Sequence, residues 1–226
     1  MNAQSNRCIL FFVKAPVDGA VKTRLAARIG GQRAAELYQC FGRDLLRTLE
    51  TLEVPLVCCF HPSEAGPACA DWLGEHLVYR RQRGDDLGQR MAHAFREVFD
   101  EGFSRVLLIG SDSPDLPLGL FERAFLALET HEAVIGPSSD GGYYLIGFTA
   151  QGFLPAVFEN MQWSTDNVFR QTMNVLQRHR RRACVLPQWH DVDTWSDLED
   201  LLWRNSTTDF NNSTTFAFAR RCGWTG

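Results

Sequence analysis

The sequence predicts an α/β domain in which a mostly parallel sheet is covered by helices on both faces. Two observations support this fold class. Short apolar runs alternate along the chain with longer segments in which apolar residues recur every three or four positions, which indicates strands that alternate with amphipathic helices. The predicted strands are apolar along almost their whole length, as strands covered on both faces must be. Parallel strands joined by crossover helices explain both observations.

The short apolar runs are the predicted strands. Between most of them lies a segment long enough for a crossover helix. The step from 133–136 to 143–148 is too short for one, so we expect an antiparallel pair and a mixed sheet at that point. In chain order the predicted strands cover residues 8–13, 54–60, 76–80, 105–110, 133–136, 143–148 and 183–187.

The longest predicted helix covers residues 30–50. Its residues Leu37, Phe41, Leu45 and Leu49 are spaced four apart and share one face, which is the pattern of a helix that packs on a core. Further helices are predicted at residues 64–73, 85–100, 118–129, 164–179 and 194–204.

The chain of 226 residues is long enough to bury a substantial core as one domain. We expect residues 1–204 to form this domain. Residues 205–226 are rich in Ser, Thr and Asn, so we expect them to form a peripheral tail. Phe216, Phe218 and Trp224 are expected to dock this tail onto the domain.

The composition argues against several classes of protein. A net charge of −4 gives no general attraction to nucleic acid or to an anionic membrane. The seven cysteines include no C-x-x-C pair and suit buried thiols in a reducing compartment. The apolar run at residues 8–13 is shorter than a signal-peptide core or a membrane span. We therefore expect a cytoplasmic protein with small-molecule partners.

The loops that follow strands carry the functional information, because ligands of open α/β sheets bind beyond the carboxyl ends of the strands. The loop after the first strand, KAPVDGAVKTRL, contains Lys14, Lys22 and Arg24, with Gly19 to permit a turn and Thr23 able to cap the next helix. Basic side chains beside a helix N-terminus form a phosphate site, although neither the P-loop nor the dinucleotide fingerprint is present. A solvated surface turn is the alternative.

The segment GSDSPDLP follows the fourth predicted strand and contains two aspartates. Asp115 fits the N-terminal cap of the next helix. Asp112 comes directly after the strand, where a carboxylate can hold Mg²⁺ or Mn²⁺. An Asx turn with prolines that end the strand is the alternative interpretation.

The segment WHDVDTWSDL, after the last predicted strand, contains a second pair of acids, Asp191 and Asp193. Either Asp193 or Thr194 is a candidate cap for the last helix. If Asp193 and Asp112 meet at one edge of the sheet, they repel by about 4 kcal/mol, and a divalent cation removes that penalty. The cations of the first loop would then hold a di- or triphosphate from one side, and the acids with their metal would hold it from the other. Phosphoryl and nucleotidyl chemistry requires this arrangement.

A third functional loop lies in the segment PSSDGGYYLIGF. Its Asp140-Gly141-Gly142 sequence precedes an aromatic strand and predicts a hairpin turn. The two glycines would also allow backbone amides to approach a ligand closely.

Segments of the chain occur in an order that resembles a known bacterial family. They are FVKAPVDGAVKTRLA, GDDLGQRM, GSDSPDLP, DGGYYLIGF, WST and DVDTWSDL. They are similar to the GT-A-type, glycosyltransferase-like family called domain of unknown function 2064, over roughly residues 8–203. The resemblance implies the Rossmann-like GT-A fold of nucleotide-diphospho-sugar transferases. More distantly, the chain is similar to molybdenum-cofactor and phospholactate guanylyltransferases.

The resemblance also implies roles for individual residues. Asp112 and Asp193 would hold Mg²⁺ or Mn²⁺ and, with Lys22, are the candidate catalytic residues. The first loop lacks the G-x-G element of the relatives, so we expect its grip on phosphate to differ in detail. The candidate binding residues are Lys14, Lys22 and Arg24 for phosphates, Asp86, Leu87 and Gly88 for base or ribose, and Asp140, Gly141, Gly142 and Tyr143 for the acceptor.

The resulting hypothesis is a metal-dependent transferase with a nucleotide sugar or a nucleoside triphosphate as donor and a small molecule as acceptor. A glycosyltransferase would attack the anomeric carbon and release a nucleoside diphosphate. The alternative, a nucleotidyltransferase, would attack the α-phosphorus and release pyrophosphate. A non-catalytic nucleotide-binding module is a second alternative. Such a module would need the phosphate loop but would not need both Asp112 and Asp193, so their joint presence argues against it. A metal-dependent phosphohydrolase would need a His-rich cluster, which the sequence lacks.

Overall fold

The computed structural model describes residues 6–163 and 165–224. Within these residues the strands form one seven-stranded sheet. The strands are β1 (Arg7–Lys14), β2 (Leu56–His61), β3 (Val78–Arg81), β4 (Arg105–Ile109), β5 (Ala133–Pro137), β6 (Tyr143–Thr149) and β7 (Ala183–Val185). Each corresponds to a predicted strand.

The sheet has the order β3–β2–β1–β4–β6–β5–β7. β1 and β4 are parallel neighbours in its interior, as expected from their wholly apolar sequences. β6 lies between β4 and β5 and runs antiparallel to both. The predicted hairpin and the predicted mixed sheet are therefore confirmed, and the other pairs of neighbouring strands are parallel.

The helices confirm the predicted crossovers and add two elements. A short helix, α1, follows the first loop, and a C-terminal helix, α8, lies in the segment predicted as a tail. The predicted helix 164–179 begins at Val168, and its first predicted residue, Ser164, lies outside the described residues. The helices are α1 (Thr23–Ile29), α2 (Gly31–Glu50), α3 (Gly66–Leu73), α4 (Leu87–Asp100), α5 (Leu118–Ala127), α6 (Val168–Arg178), α7 (Trp195–Arg204) and α8 (Thr214–Arg221), with 3₁₀ turns at Pro155–Phe158 and Asp209–Asn212.

Apolar side chains are buried on both faces of the sheet, so the predicted fold class is confirmed. Along β1, Ile9 and Phe11 join a cluster with α2, α3 and α5. Leu10 and Phe12 point the other way and join a cluster with α4 and α6. Alternate residues of a strand face opposite sides of a sheet, which is why one continuous apolar run supplies both clusters.

The C-terminal segment packs on α2 and α7. Phe216 and Phe218 are 3% and 2% exposed, and the ring of Trp224 contacts those of Trp195 and Phe218. These aromatic residues therefore dock the segment as expected. The buried carboxylate of Asp44 accepts hydrogen bonds from the first backbone amides of α8. The division into a domain of residues 1–204 and a tail stays a prediction.

In the described part of the chain, no helix combines the length and the apolar character needed to cross a bilayer.

Candidate functional site

A cavity of about 640 Å³ lies at the carboxyl ends of β1 and β4. This is the edge of the sheet at which α/β proteins bind ligands. The first loop, the end of β4, the hairpin between β5 and β6, and the segment after β7 all contribute to its wall. Its polar and charged lining residues are Lys14, Lys22, Thr23, Arg24, Tyr38, Gln82, Arg90, Ser111, Asp112, Ser138, Asp140, Tyr143, Tyr144, Thr165, Asp191 and Asp193.

A buried ammonium lies between two carboxylates at the wall of this cavity. Lys22 Nζ contacts Asp112 Oδ1 and lies 2.9 Å from Asp193 Oδ1. The Lys22 side chain is 3% exposed, whereas those of Asp112 and Asp193 are 49% and 42% exposed. Asp112 and Asp193 therefore converge at one edge of the sheet, as the sequence analysis expected, but a lysine of this chain lies between them.

The pKa values of Lys22 and Asp193 are shifted in opposite directions by their contact. Burial by itself would lower the pKa of Lys22, but the adjacent Asp112 and Asp193 carboxylates outweigh it, so the pKa lies above its ordinary value and the ammonium stays charged. Burial acts to raise the pKa of Asp193, but Lys22, with smaller effects of Arg24 and Lys14, lowers it overall. The repulsion between the two acids is therefore already offset by Lys22.

Lys22 reaches this position because of an unusual backbone conformation. It is the residue before α1 and has φ 49° and ψ 44°, in the left-handed region, which costs a non-glycine residue energy. Gly19, with φ +73°, provides the expected turn earlier in the loop. The predicted cap was wrong, because Thr23 is the first helical residue and α1 has no side-chain cap.

The predicted role of Asp115 as a helix cap was also wrong. The residue before α5 is Pro117, and no side chain caps that helix. The Asp115 side chain is 2% exposed and pairs with Arg204 Nε at 2.9 Å. It also accepts hydrogen bonds from Trp189 Nε1 and Asn205 Nδ2. Asp115 thus ties the end of α7 to the loop after β4.

Thr194, and not Asp193, caps α7. Its hydroxyl accepts from the Asp197 backbone amide while the Asp197 carboxylate accepts from the Thr194 amide, which forms a capping box. The Asp193 carboxylate is consequently left to face Lys22 and the cavity.

Three further cations lie along the cavity wall. Lys14 and Arg24 come from the first loop and are exposed. Arg90, on the first turn of α4, donates from Nε to the Gly84 carbonyl at 3.0 Å, and within the described residues its terminal nitrogens make no hydrogen bond or ion pair. Sequence reasoning did not select Arg90, although its position three residues after Leu87 places both on one face of a helix.

Buried hydrogen bonds hold the first loop against the end of β4. Tyr38 Oη, on α2, accepts from the Lys14 backbone amide at 3.0 Å. The same hydroxyl lies 2.7 Å from Ser111 Oγ, next to Asp112. Tyr38 therefore connects the two strand ends that supply the cations and the acids.

The hairpin glycines serve the turn and its packing. The Gly142 amide donates to Asp140 Oδ1 at 2.9 Å and the Gly141 amide to the Ser138 carbonyl. These amides are therefore not directed at a ligand, which corrects that expectation. Gly141 has φ +89°, and a Cβ there would lie 2.2 Å from the Asp166 carbonyl oxygen. Asp140, Gly142 and Tyr143 line the cavity, and Gly141 does not.

The Asp86-Leu87-Gly88 segment is only partly in the cavity. Leu87 lines it. Asp86 is the N-cap of α4 and accepts from the Gln89 amide at 2.8 Å. Gly88 is buried against the Phe158 carbonyl and the Trp163 ring, where a Cβ would lie 2.4 Å and 2.8 Å away. Asp86 and Gly88 thus have structural roles here.

Asp191 and Gln82 are further polar residues of the cavity wall that were not among the candidate residues. Asp191 accepts a hydrogen bond from Ser113 Oγ at 2.6 Å, and burial, with Asp112 and Asp140 nearby, raises its pKa from 3.8 to about 6. The side-chain amide of Gln82 donates to the carbonyls of Val13 and Cys59. In the sequence, the D-x-D spacing of residues 191–193 indicated Asp191, whereas no sequence pattern indicated Gln82.

The acids available for a metal are few. Lys22 contacts only Oδ1 of Asp112 and of Asp193, and in the described residues Oδ2 of neither accepts a hydrogen bond. Among those residues no group of three or more His, Cys, Asp or Glu side chains is arranged to hold a metal ion. Mg²⁺ is commonly held by one or two carboxylates together with substrate phosphates, so Asp112 and Asp193 fit a metal that arrives with a phosphorylated donor.

Comparison with known proteins gives the chain a family context. The profile of a bacterial family described as "Uncharacterized protein conserved in bacteria (DUF2064)" matches residues 45–165. No curated protein matches the sequence. A protein of Desulfovibrio desulfuricans G20, described as a "putative nucleotide-diphospho-sugar transferase", is 42% identical over 97% of this chain and 96% of its own, with a TM-score of 0.94.

More distant structures share the fold. Rv0371c of Mycobacterium tuberculosis H37Rv, in a complex with manganese, is 14% identical with a TM-score of 0.52 over 87% of this chain and 98% of its own. The 4-diphosphocytidyl-2C-methyl-D-erythritol synthase of Anaerococcus prevotii DSM 20548 is 14% identical with a TM-score of 0.56 over 91% and 98%. The nucleotide-diphospho-sugar transferase fold expected from the sequence is confirmed.

Proposed function

Because the chain belongs to the bacterial family DUF2064, we propose that this transferase moves a group from a nucleotide-activated donor to a small-molecule acceptor. The observation that carries the proposal is the cavity at the carboxyl edge of the sheet, where Asp112 and Asp193 face the cations of the first loop. Acids and cations on opposite sides of one cavity are what a metal-bound diphosphate requires.

Lys14 and Arg24 are the proposed phosphate ligands. Both are exposed and line the cavity, and the hydrogen bond of Tyr38 to the Lys14 amide fixes the start of their loop. Charge-assisted hydrogen bonds to phosphate are roughly twice as strong as neutral ones. These two cations would bind the donor and stabilise the charge that develops on the leaving phosphate.

The acids Asp112 and Asp193 are the proposed ligands of Mg²⁺ or Mn²⁺. A bound metal would neutralise negative charge on the donor phosphates. The manganese complex of Rv0371c is consistent with this assignment for the fold. The metal would depend on the donor for further oxygen ligands, because in the described residues no group of three or more His, Cys, Asp or Glu side chains is arranged to hold a metal ion.

Glycosyl transfer from a nucleotide sugar is the leading reaction. An acceptor hydroxyl would attack the anomeric carbon, the bond from that carbon to the diphosphate oxygen would break, and a nucleoside diphosphate would leave. The cavity is also lined by the apolar and aromatic side chains of Leu87, Met91, Tyr143 and Trp163, on which a sugar or an acceptor would stack.

Nucleotidyl transfer is the second candidate, and Arg90 favours it. With Lys14 and Arg24 it gives the cavity wall three cations besides Lys22, which suits a triphosphate. In this reaction a phosphate oxygen of the acceptor would attack the α-phosphorus, and pyrophosphate would leave.

Product analysis distinguishes the two reactions. The protein is first tested by thermal shift against nucleoside triphosphates and nucleotide sugars, each with and without Mg²⁺ or Mn²⁺. The donors that stabilise it are then incubated with sugars and sugar phosphates, and the released nucleoside diphosphate or pyrophosphate is measured. Release of nucleoside diphosphate supports glycosyl transfer, and release of pyrophosphate supports nucleotidyl transfer. If no nucleotide shifts the melting temperature, the proposed function is wrong.

A further inference from the structure

Lys22 occupies the place between the two acids that a shared metal would need. Its ammonium contacts Oδ1 of both Asp112 and Asp193 and is almost completely buried. We propose that Lys22 is a lock on the metal site, which keeps the two carboxylates paired with an internal cation until a donor phosphate draws the ammonium away. This inference rests on the proposed function, because it concerns the metal that the donor would bring.

The charges explain why the lock would exclude a metal. A divalent cation held jointly by these carboxylates would lie within a few ångströms of Nζ, because the ammonium already touches both. Like charges at such distances repel strongly in a partly buried site. Even a metal bound through the Oδ2 atoms, which Lys22 does not contact, would lie beside the ammonium, so the two acids hold a metal tightly only once Lys22 has moved away.

The position of Lys22 also explains how a donor would draw its ammonium away from the two acids. The residue lines the cavity along with Lys14 and Arg24, so a phosphate held by those cations would lie within reach of the ammonium. Lys22 is the residue directly before α1 and has a left-handed backbone conformation, so it lies outside the regular helix. Its Nζ also lies over the Phe41 ring, 5.8 Å from the ring centre, which is a cation–π distance.

The lock predicts an order of binding. The donor and its metal would enter together, Lys22 would first exchange a carboxylate for a donor phosphate, and the metal would then take the freed carboxylate oxygens. Binding of the metal without a donor would be weak because of Lys22, and not only because few protein ligands are present.

Manganese binding in the absence of nucleotide tests this proposal. The free Mn²⁺ signal in electron paramagnetic resonance is titrated with the wild type and with Lys22→Met. We expect Lys22→Met to bind Mn²⁺ at least about tenfold more tightly than the wild type, since it removes a contacting positive charge. Lys22→Arg keeps the charge and is expected to show no gain. Lys14→Met is the matched control, because it removes one cation of the same cavity that contacts neither acid.

Three outcomes would overturn the lock: equal Mn²⁺ affinity in the wild type and Lys22→Met, an equal gain in Lys14→Met, or an equal gain in Lys22→Arg. If circular dichroism shows that Lys22→Met is unfolded, Lys22→Gln, which keeps a hydrogen-bond donor for the carboxylates, takes its place. A thermal-shift series of the wild type with nucleotide and Mn²⁺ judges the proposed function separately. Metal-dependent stabilisation there without a gain in Lys22→Met would reject the lock and retain the function.

Discussion

Single residues at the cavity wall have different roles even where their side chains are alike. Asp112 and Asp193 share Lys22, Asp191 is bound to Ser113, and Asp115 is buried with Arg204. The surroundings of each carboxylate decide whether it is available to a ligand. Substitutions of single aspartates therefore have separable effects.

Asp112→Asn is expected to abolish the stabilisation of the protein by nucleotide that depends on metal. The change keeps the side-chain volume but removes the charge that a metal requires, while one carboxylate remains for Lys22. A ligand at 100 times its dissociation constant stabilises a protein by about 2.7 kcal/mol, so the loss is measurable as a smaller shift of the melting temperature. Asp200→Asn, an exposed change on α7, is the control. A full metal-dependent shift in Asp112→Asn would exclude Asp112 as a ligand.

Arg24→Ala is expected to weaken nucleotide binding by about tenfold or more, because hydrogen bonds of charged groups contribute about 1.5 to 3 kcal/mol. The free energy of unfolding should change by less than about 0.5 kcal/mol, since Arg24 is exposed. Calorimetric titration measures the affinity. Arg28→Ala, on the same helix but stacked on Trp195 at 4.7 Å, serves as the comparison, and equal losses in both variants would argue against a phosphate contact of Arg24.

Asp191 is expected to make stability depend on pH. Burial raises its pKa from 3.8 to about 6, so the folded state binds more protons than the unfolded state between these values, and the free energy of unfolding falls as the pH rises through this window. The penalty is complete above the folded pKa and amounts to about 3 kcal/mol. Asp191→Asn should thus be more stable than the wild type at pH 8 by roughly this amount, with little gain at pH 4.

Urea denaturation with a metal chelator present, at both pH values, measures this difference. A gain of the same size at pH 4 and pH 8 would mean that the substitution acts through packing and not through the charge of Asp191.

The secondary-structure elements are held in place by polar contacts as well as by the apolar core. Asp115 links the loop after β4 to the end of α7, and Asp44 binds the first amides of α8. Both carboxylates are buried, so the positions of α7 and α8 depend on them. This is a structural use of acids, distinct from that of the cavity.

Asp115→Asn is expected to destabilise the fold by about 3 to 5 kcal/mol, the usual cost of breaking a buried ion pair by removing one partner. Arg204, whose side chain is only 21% exposed, would then lose its carboxylate partner. Chemical denaturation measures the loss. Nucleotide with metal should still raise the melting temperature of Asp115→Asn from its lower starting value. The same ligands should not do so for Asp112→Asn, which distinguishes the two residues. An unchanged free energy of unfolding would show that the pair contributes little.

At the scale of the whole molecule, the C-terminal helix completes a third apolar cluster. Leu25 of α1, Phe41 of α2 and Leu198 of α7 pack there with Phe216 and Phe218 of α8. The helix that begins directly after Lys22 is thus part of the same cluster as the C-terminal segment. α1, which carries the cavity residues Thr23 and Arg24, therefore packs in the same cluster as the C-terminal segment.

Ending the chain at Thr208 is expected to lower the stability of the whole domain. The truncation removes Phe216 and Phe218, each worth about 2 to 3 kcal/mol when buried, and leaves Asp44 without the amides of α8. It retains Asn205 and its bond to Asp115. A melting temperature equal to that of the full chain would instead establish residues 205–226 as a peripheral tail.

The sequence by itself determined most of the fold. Each strand of the sheet and its long crossover helices follow from apolar periodicity, which is a local property of the chain. The central position of β1 and β4 follows from their apolar composition, because such strands must be covered on both faces. The rule that ligands bind at the carboxyl ends of strands selected the loops that carry Lys22, Asp112 and Asp193.

Only the tertiary structure decided how those loops are used. The partners of Lys22 are 90 and 171 residues away along the chain, so their meeting depends on strand order and register and not on any local pattern. The same holds for Asp115, whose sequence context is that of a cap but whose partner is Arg204. The position of β6 between β4 and β5 and the surface of α2 and α7 on which the C-terminal segment packs were equally hidden, because both depend on which surfaces the rest of the fold leaves to be covered.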